Sequence, residues 1–262
     1  MTDDLILVER LDHVLMLTLN RPEQRNPVDY PTVRRLLDLL GNADADQDIT
    51  GVVLTGAGPA FSSGGDLRGY LTLYRDEAEF RTFLKEFTAV NSFLERGRFV
   101  SIAMVNGACV AGGIELMLSC DLSIAADDAK IGDGHARSGQ LPGAGGSQRL
   151  WRAIGTVRAR ELLLTGRLMS GADAAAIGLV SYAVPAAELL ERTLEVAREV
   201  TAHSPIVIAK MKQLQSIAVA HAVEEGLSLE REVVIEYATK SHDALEGLHS
   251  FLEQRPPEWK GE

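Results

Sequence analysis

Cysteine is nearly absent from this 262-residue chain, which carries two. Cys109 and Cys120 lie in apolar segments without metal-ligand partners nearby. That excludes a disulfide framework and reads as buried thiols in a reducing compartment. Positive charge is also short: 26 lysines and arginines face 37 acidic residues, for a net charge of −11. Such a balance opposes non-specific nucleic-acid binding, which needs a basic surface, although a few placed arginines still suffice for an anionic small ligand. No apolar run approaches the ~20 residues that span a bilayer. The first residues, Met1-Thr2-Asp3-Asp4, lack the basic-then-apolar order of a signal peptide. His13, His203, His221, His242 and His249 show no ligand spacing, so no metal site is expected. These absences together predict a cytoplasmic protein with neither a membrane nor a nucleic-acid partner.

What is present is a large apolar fraction, 46%, enough for one sizeable domain or one domain with a helical appendage. Two glycine-bearing stretches stand out: Phe61-Ser62-Ser63-Gly64-Gly65-Asp66-Leu67 and Asn106-Gly107-Ala108-Cys109-Val110-Ala111-Gly112-Gly113-Ile114-Glu115. Each follows a short apolar run that ends in a turn. Backbone N–H groups freed at two such turns can converge on one developing negative charge, as a thioester enolate requires, where side chains would obstruct the approach. Tight turn geometry is the plainer use of the same glycines.

The run 5–20 alternates, and Asp12-His13 breaks it into a hairpin. Val33, Leu36, Leu37 and Leu40 predict a helix over 31–41, and Phe80, Phe83, Leu84, Phe87 and Leu94 predict another over 76–95 on one face. The continuous apolar runs 49–55 and 99–105 read as buried strands, and 121–126 as a further one. Recurrence of a strand–loop–helix unit suggests strands stacked in a spiral with helices outside. After Ser147 the pattern is mostly helical, with Thr156 and Ser170 as N-caps, Gly166 and Gly178 as stops, a last strand over 179–184 and a helix opening at Pro205. The charged and apolar stripes toward Gln254 pack either on their own core or on a neighbouring subunit.

These segments, with Leu19-Asn20-Arg21-Pro22, Cys120-Asp121, Leu141-Pro142-Gly143-Ala144-Gly145-Gly146-Ser147-Gln148-Arg149-Leu150 and Leu163-Leu164-Thr165-Gly166, resemble the crotonase superfamily of enoyl-CoA hydratases and isomerases. Their order and spacing match over nearly the whole chain. The resemblance implies an α/β fold, a crotonase-like spiral of ββα units over 1–200, and a helical C-terminal region over 201–262 that assembles trimers, often paired into hexamers. It implies an acyl-CoA substrate and no separate cofactor, coenzyme A being part of the substrate. It puts the two oxyanion donors on Gly65 and Gly112. The stretch Ser63, Gly65, Asp66, Leu67 and Arg68 is implied to wrap the CoA moiety, and Arg25 and Arg68 to meet its phosphates.

Glu115, among Ile114, Leu116, Met117 and Leu118, is the leading general acid–base: an ionised carboxylate is costly there unless it is paired or does chemistry, and burial raises its pKa. The family has a catalytic glutamate at that position. At the second catalytic position, where hydratases carry another glutamate, the alignment puts His135 here, a residue able to shuttle a proton near neutral pH. Asp133, two residues earlier, is placed to orient the imidazole if the segment is extended, but Gly134 lies between them. Lys130 and Arg137 are candidates to steer an acidic acyl group, and Tyr70, Leu71, Leu73 and Tyr74 to line the acyl pocket. The leading expectation is water addition to a 2-enoyl-CoA. Double-bond migration, thioester hydrolysis or ring cleavage on the same scaffold, and a silent CoA- or RNA-binding homologue, are the alternatives.

Overall fold

The computed structural model describes residues 5–262, and the acidic N-terminal residues 1–4 lie outside the described part. Strands β1 (Ile6–Leu11) and β2 (Val14–Leu19) form the expected antiparallel hairpin, turning at Asp12 with φ 52°. Helix α1 (Tyr30–Ala45) is longer at both ends than its apolar spacing predicts. Asp29 caps it by accepting from the Thr32 amide, and Pro31 fits its first turn, where a missing N–H costs nothing.

Then the repeating unit sets in. β3 (Gly51–Gly56) and β4 (Ala60–Ser62) precede α2 (Leu67–Leu73) and α3 (Glu77–Arg96). β5 (Val100–Val105) and β6 (Ala108–Val110) precede α4 (Gly112–Ser119), and β7 (Leu122–Ala126) and β8 (Lys130–Gly132) precede α5 (Gly146–Thr165). Each repeat lays its first strand in one sheet and its second in another. The larger sheet runs β1-β2-β3-β5-β7-β10, parallel after the hairpin, with β10 at Tyr182–Val184. The smaller runs β4-β6-β8-β9, with β9 at Met169–Ser170.

Every residue of β3 and β5 is buried, as their mainly apolar runs require of parallel strands covered on both faces, with Thr55 and Ser101 the polar members. Phe61, Phe83, Phe99, Leu36 and Leu94 are among the large side chains that fill the space between sheet and helices. The fold is the α/β spiral that the recurring unit predicts. One detail differs. The last strand covers only Tyr182–Val184, because Leu179 and Val180 are buried in the turn that follows α6 (Gly171–Ala176), their amides bonded to the Ala174 carbonyl. α5 is two helical segments joined at Gly155, whose φ 76° and ψ 163° are not helical, so a second segment does begin at Thr156 as its place in the sequence predicts. Ser170 caps α6 as expected, and Ser204 caps the helix that opens at Pro205.

The remaining helices are α7 (Leu189–Thr201), α8 (Pro205–Ala220), α9 (Val223–Lys240) and α10 (His242–Glu253). Lys212 of α8 is buried, and its Nζ donates to the Leu94 and Phe99 carbonyls and to Asp121 at 2.7 Å. That side of the region therefore packs on the chain's own core. Other faces carry exposed Val219, Val223, Ile235, Leu248, Phe251 and Leu252. No helix among the described residues is long and apolar enough to cross a membrane.

Candidate active site

The turns after β4 and β6 meet. Gly64 has φ 96°, and a β-carbon built on it would lie 3.1 Å from the Gly112 nitrogen. No L side chain fits that approach. The loop before α1 braces the first turn: Ser63 donates its amide to the Arg25 carbonyl at 2.9 Å, and Val28 donates to the Gly64 carbonyl at 2.8 Å. Asn26 ties the same loop to the Ala57 and Ala60 carbonyls. The second turn passes through Ala111, whose φ 51°, ψ −118° is a conformation usually left to glycine. The Ala111 amide donates to the Asp133 carbonyl at 2.8 Å. Gly65 and Gly112 line one cavity, and among the described residues neither amide has a protein acceptor. Gly112 is also the first residue of α4, so the positive end of that helix faces the same place.

This cavity, about 720 Å³, also exposes Glu115 and His135 on its wall. Glu115 sits in the first turn of α4 and is only 2% exposed. One oxygen, Oε1, accepts from the Ala144 and Gly146 amides, both at 2.8 Å. The other, Oε2, lies 4.0 Å from His135 Nε2. Burial pushes the Glu115 carboxyl above the usual range, while the two amides and the nearby imidazole pull it part of the way back.

His135 Nδ1 is 2.9 Å from Asp133 Oδ2, and the His135 amide donates to Asp133 Oδ1. The pair forms without the extended segment that residue spacing suggests: Gly134, at φ 68°, turns the chain left-handed and folds the carboxylate back onto the ring. An Nδ1–H donated to Asp133 leaves Nε2 to face Glu115. A water within the usual ~2.8 Å of both Nε2 and Oε2 would subtend an angle of about 90°, so the two groups can share one.

The expected residues divide as follows. Ser63, Gly65, Asp66, Leu67, Arg68, Gly112, Glu115, His135, Tyr70 and Tyr74 are all on the cavity wall, and Asp133 stands directly behind His135. Arg25 is exposed and off the wall, and what it brings to the site is its carbonyl. Leu71 is 72% exposed and Leu73 packs against the core, so neither lines the cavity. Lys130 and Arg137 are also off the wall: Lys130 is the exposed first residue of β8, and the Arg137 stem packs on Gly166. Among the contributors that sequence reasoning passed over are Phe80 and Phe87, read as core, and the amides of Ala144 and Gly146, which no side chain advertises.

A two-sheet spiral with a pair of unengaged amides beside a buried carboxyl defines an enzyme of the crotonase fold. The family follows from comparison: the enoyl-CoA hydratase/isomerase family model matches residues 9–262, and the chain belongs to that family. A Mycobacterium bovis protein named "Probable enoyl-CoA hydratase" is 38% identical over 99% of each chain. The 2,3-dehydroadipyl-CoA hydratase of Escherichia coli is 33% identical over 98% of each. The crystal structure of an enoyl-CoA hydratase from Bacillus anthracis superposes with a TM-score of 0.92 at 35% identity, covering 98% of this chain and 100% of its own.

Proposed function

We propose that the protein adds water to the double bond of a 2-enoyl-CoA. The observation that carries this is Glu115: one oxygen is anchored by two amides, and the other is left open toward His135 in a cavity that also presents the Gly65 and Gly112 amides. The thioester oxygen accepts from those two amides, which draws electron density off the β-carbon and holds the enolate charge as it forms. Glu115 takes a proton from the bound water while its oxygen bonds to the β-carbon. His135, as an imidazolium hydrogen-bonded to Asp133, delivers its Nε2 proton to the α-carbon, and the proton that Glu115 took from water then passes to Nε2, which restores both groups. One water is consumed, and its O–H is divided across the former double bond. Ser63, Asp66 and Leu67 border the entrance beside Gly65, and Arg68 and the exposed Arg25 are the cations available to the CoA phosphates.

Thioester cleavage is the second reading, favoured by a histidine–aspartate pair in this position, since such a pair also activates water toward a carbonyl carbon. Incubation with short 2-enoyl-CoA substrates separates the two: hydration removes the conjugated absorbance without releasing thiol. Thiol release with the double bond intact would establish the hydrolase. A Gly112→Pro variant deletes one proposed donor and also forces Ala111 out of its ψ −118° turn, so turnover should fall at least ~10²–10³-fold. Full turnover in that variant rejects the enolate reading.

The exposed apolar side chains of α9 and α10 support a further part of this reading, that residues 201–262 assemble a homotrimer or a hexamer. Sedimentation of the purified chain tests it, and a monomer at micromolar concentration would refute it.

A further inference from the structure

Aromatic residues make up only 5% of the chain, yet Tyr70, Tyr74, Phe80, Phe83 and Phe87 all line the cavity that holds Glu115. They form a mutually braced wall. Tyr70 and Tyr74, one helical turn apart, stack with centroids 5.2 Å apart and planes at 15°. Phe80 tilts against Tyr74 at 4.8 Å, and Phe83 meets Tyr70 edge-on at 6.1 Å. The Tyr74 hydroxyl bonds to Gln140, on the loop beyond His135, which fixes the wall against the opposite rim.

This wall begins at the oxyanion turn. A β-carbon on Gly65 would lie 2.1 Å from the Tyr70 hydroxyl, so the rings border the position of the thioester carbonyl and the carbons next to it. Burial pushes the Tyr70 phenol well up, so it stays neutral. Among the described residues, Arg68 is the one lysine or arginine on the cavity wall. The acyl end therefore offers rigid ring faces and edges and no cation for an acidic tail.

We propose, on the acyl-thioester reading above, that this subsite takes a planar, ring-bearing acyl group, an aryl-conjugated enoyl thioester, in preference to a flexible alkyl chain or a carboxylate-ended one. A flat conjugated acyl group loses little torsional freedom on entering, and its ring meets the wall in offset or edge-on geometry. An alkyl chain gains the burial but loses rotamer entropy. A terminal carboxylate would be stripped of water without a partner.

Saturated thioesters, which cannot be hydrated, test the subsite apart from the reaction. Calorimetric titration of the full chain should show 3-phenylpropanoyl-CoA binding roughly tenfold tighter than adipoyl-CoA and about threefold tighter than octanoyl-CoA. Tyr74→Leu, at an exposed position, and Phe80→Leu, at the margin of the core, should each bring the aryl-to-octanoyl ratio toward one. Octanoyl-CoA binding as tightly as the aryl thioester, adipoyl-CoA within about twofold of it, or an unchanged ratio in both variants overturns the proposal. Aryl preference without hydration of any enoyl-CoA would overturn the reaction assigned above and leave the subsite standing.

Discussion

Two carboxylates bracket α4, Glu115 buried and Asp121 mostly so, and they are held in opposite ways. Asp121, just past its end, gathers its donors on one oxygen: Oδ2 accepts from the Ser101 amide, the Ser101 hydroxyl and Lys212 Nζ. Glu115, in its first turn, has one oxygen filled by backbone amides and the other turned toward a cavity and an imidazole. Burial pushes both carboxyls up, but only Asp121 has a full positive charge to pull it back. The contrast separates a carboxylate that joins elements, here α8 to β5 and β7, from one kept reactive. A structural charge is neutralised by a cation, whereas a chemical one is anchored by dipoles and left with a free valence.

The sharpest way to break this comparison is Glu115→Gln. The amide keeps an oxygen for the Ala144 and Gly146 donors but cannot accept a proton, so turnover should fall about 10³–10⁴-fold. The same variant removes a carboxyl that burial disfavours, so its melting temperature should rise. A melt that falls instead would make Glu115 a structural group like Asp121. Next in size is Lys212→Met, which removes the buried cation and leaves the mostly covered Asp121 carboxylate unpaired. Denaturant unfolding should show a loss of about 3–5 kcal/mol. A loss below about 1 kcal/mol would mean the pair is no more than a surface-type contact.

Asp133→Asn is a smaller change, because the amide retains the fold of the turn while withdrawing charge from His135. We expect kcat to fall roughly 10–100-fold with KM little altered. An equal loss in KM would show that the residue shapes the cavity and does not support the ring. The smallest effect is the pH profile. Glu115 must be ionised to take the proton from water, so kcat/KM should decline as pH falls through its raised value, above the ordinary carboxylate range. Its stability term runs the other way. The proton is held more tightly in the folded state, so this contribution is present below the ordinary carboxylate value and is lost as pH rises through the raised one. An acid limb within the ordinary range would show that burial does not act on this group as argued.

Much of the spiral could be read from residues alone, because β3 and β5 are buried on both faces and write that as mainly apolar runs. The glycine turns were legible for the same kind of reason: a close backbone approach excludes side chains. Other parts leave no such trace. The amides of Ala144 and Gly146 belong to residues whose side chains say nothing about their N–H groups. Phe80, Phe83 and Phe87 share a helical stripe, and periodicity cannot tell a core-facing stripe from one half over a cavity. That distinction appears only when α2 docks beside α3 and leaves space between them. The Asp133–His135 pair was anticipated from an even spacing, yet it forms through a left-handed glycine that an extended reading does not contain.

One joint near the middle of the molecule has a mechanical meaning. Ala111 is bent into a shape that costs a residue with a β-carbon about 1–3 kcal/mol, and it is held there by its amide's bond to the Asp133 carbonyl on one side and its carbonyl's bond from the Glu115 amide on the other. The amide that greets the carbonyl and the loop that carries the imidazole are thus yoked. Neither can drift without tugging the other, so the spacing between the two ends of the reaction is kept by a loaded hinge and not by the slack of two independent loops.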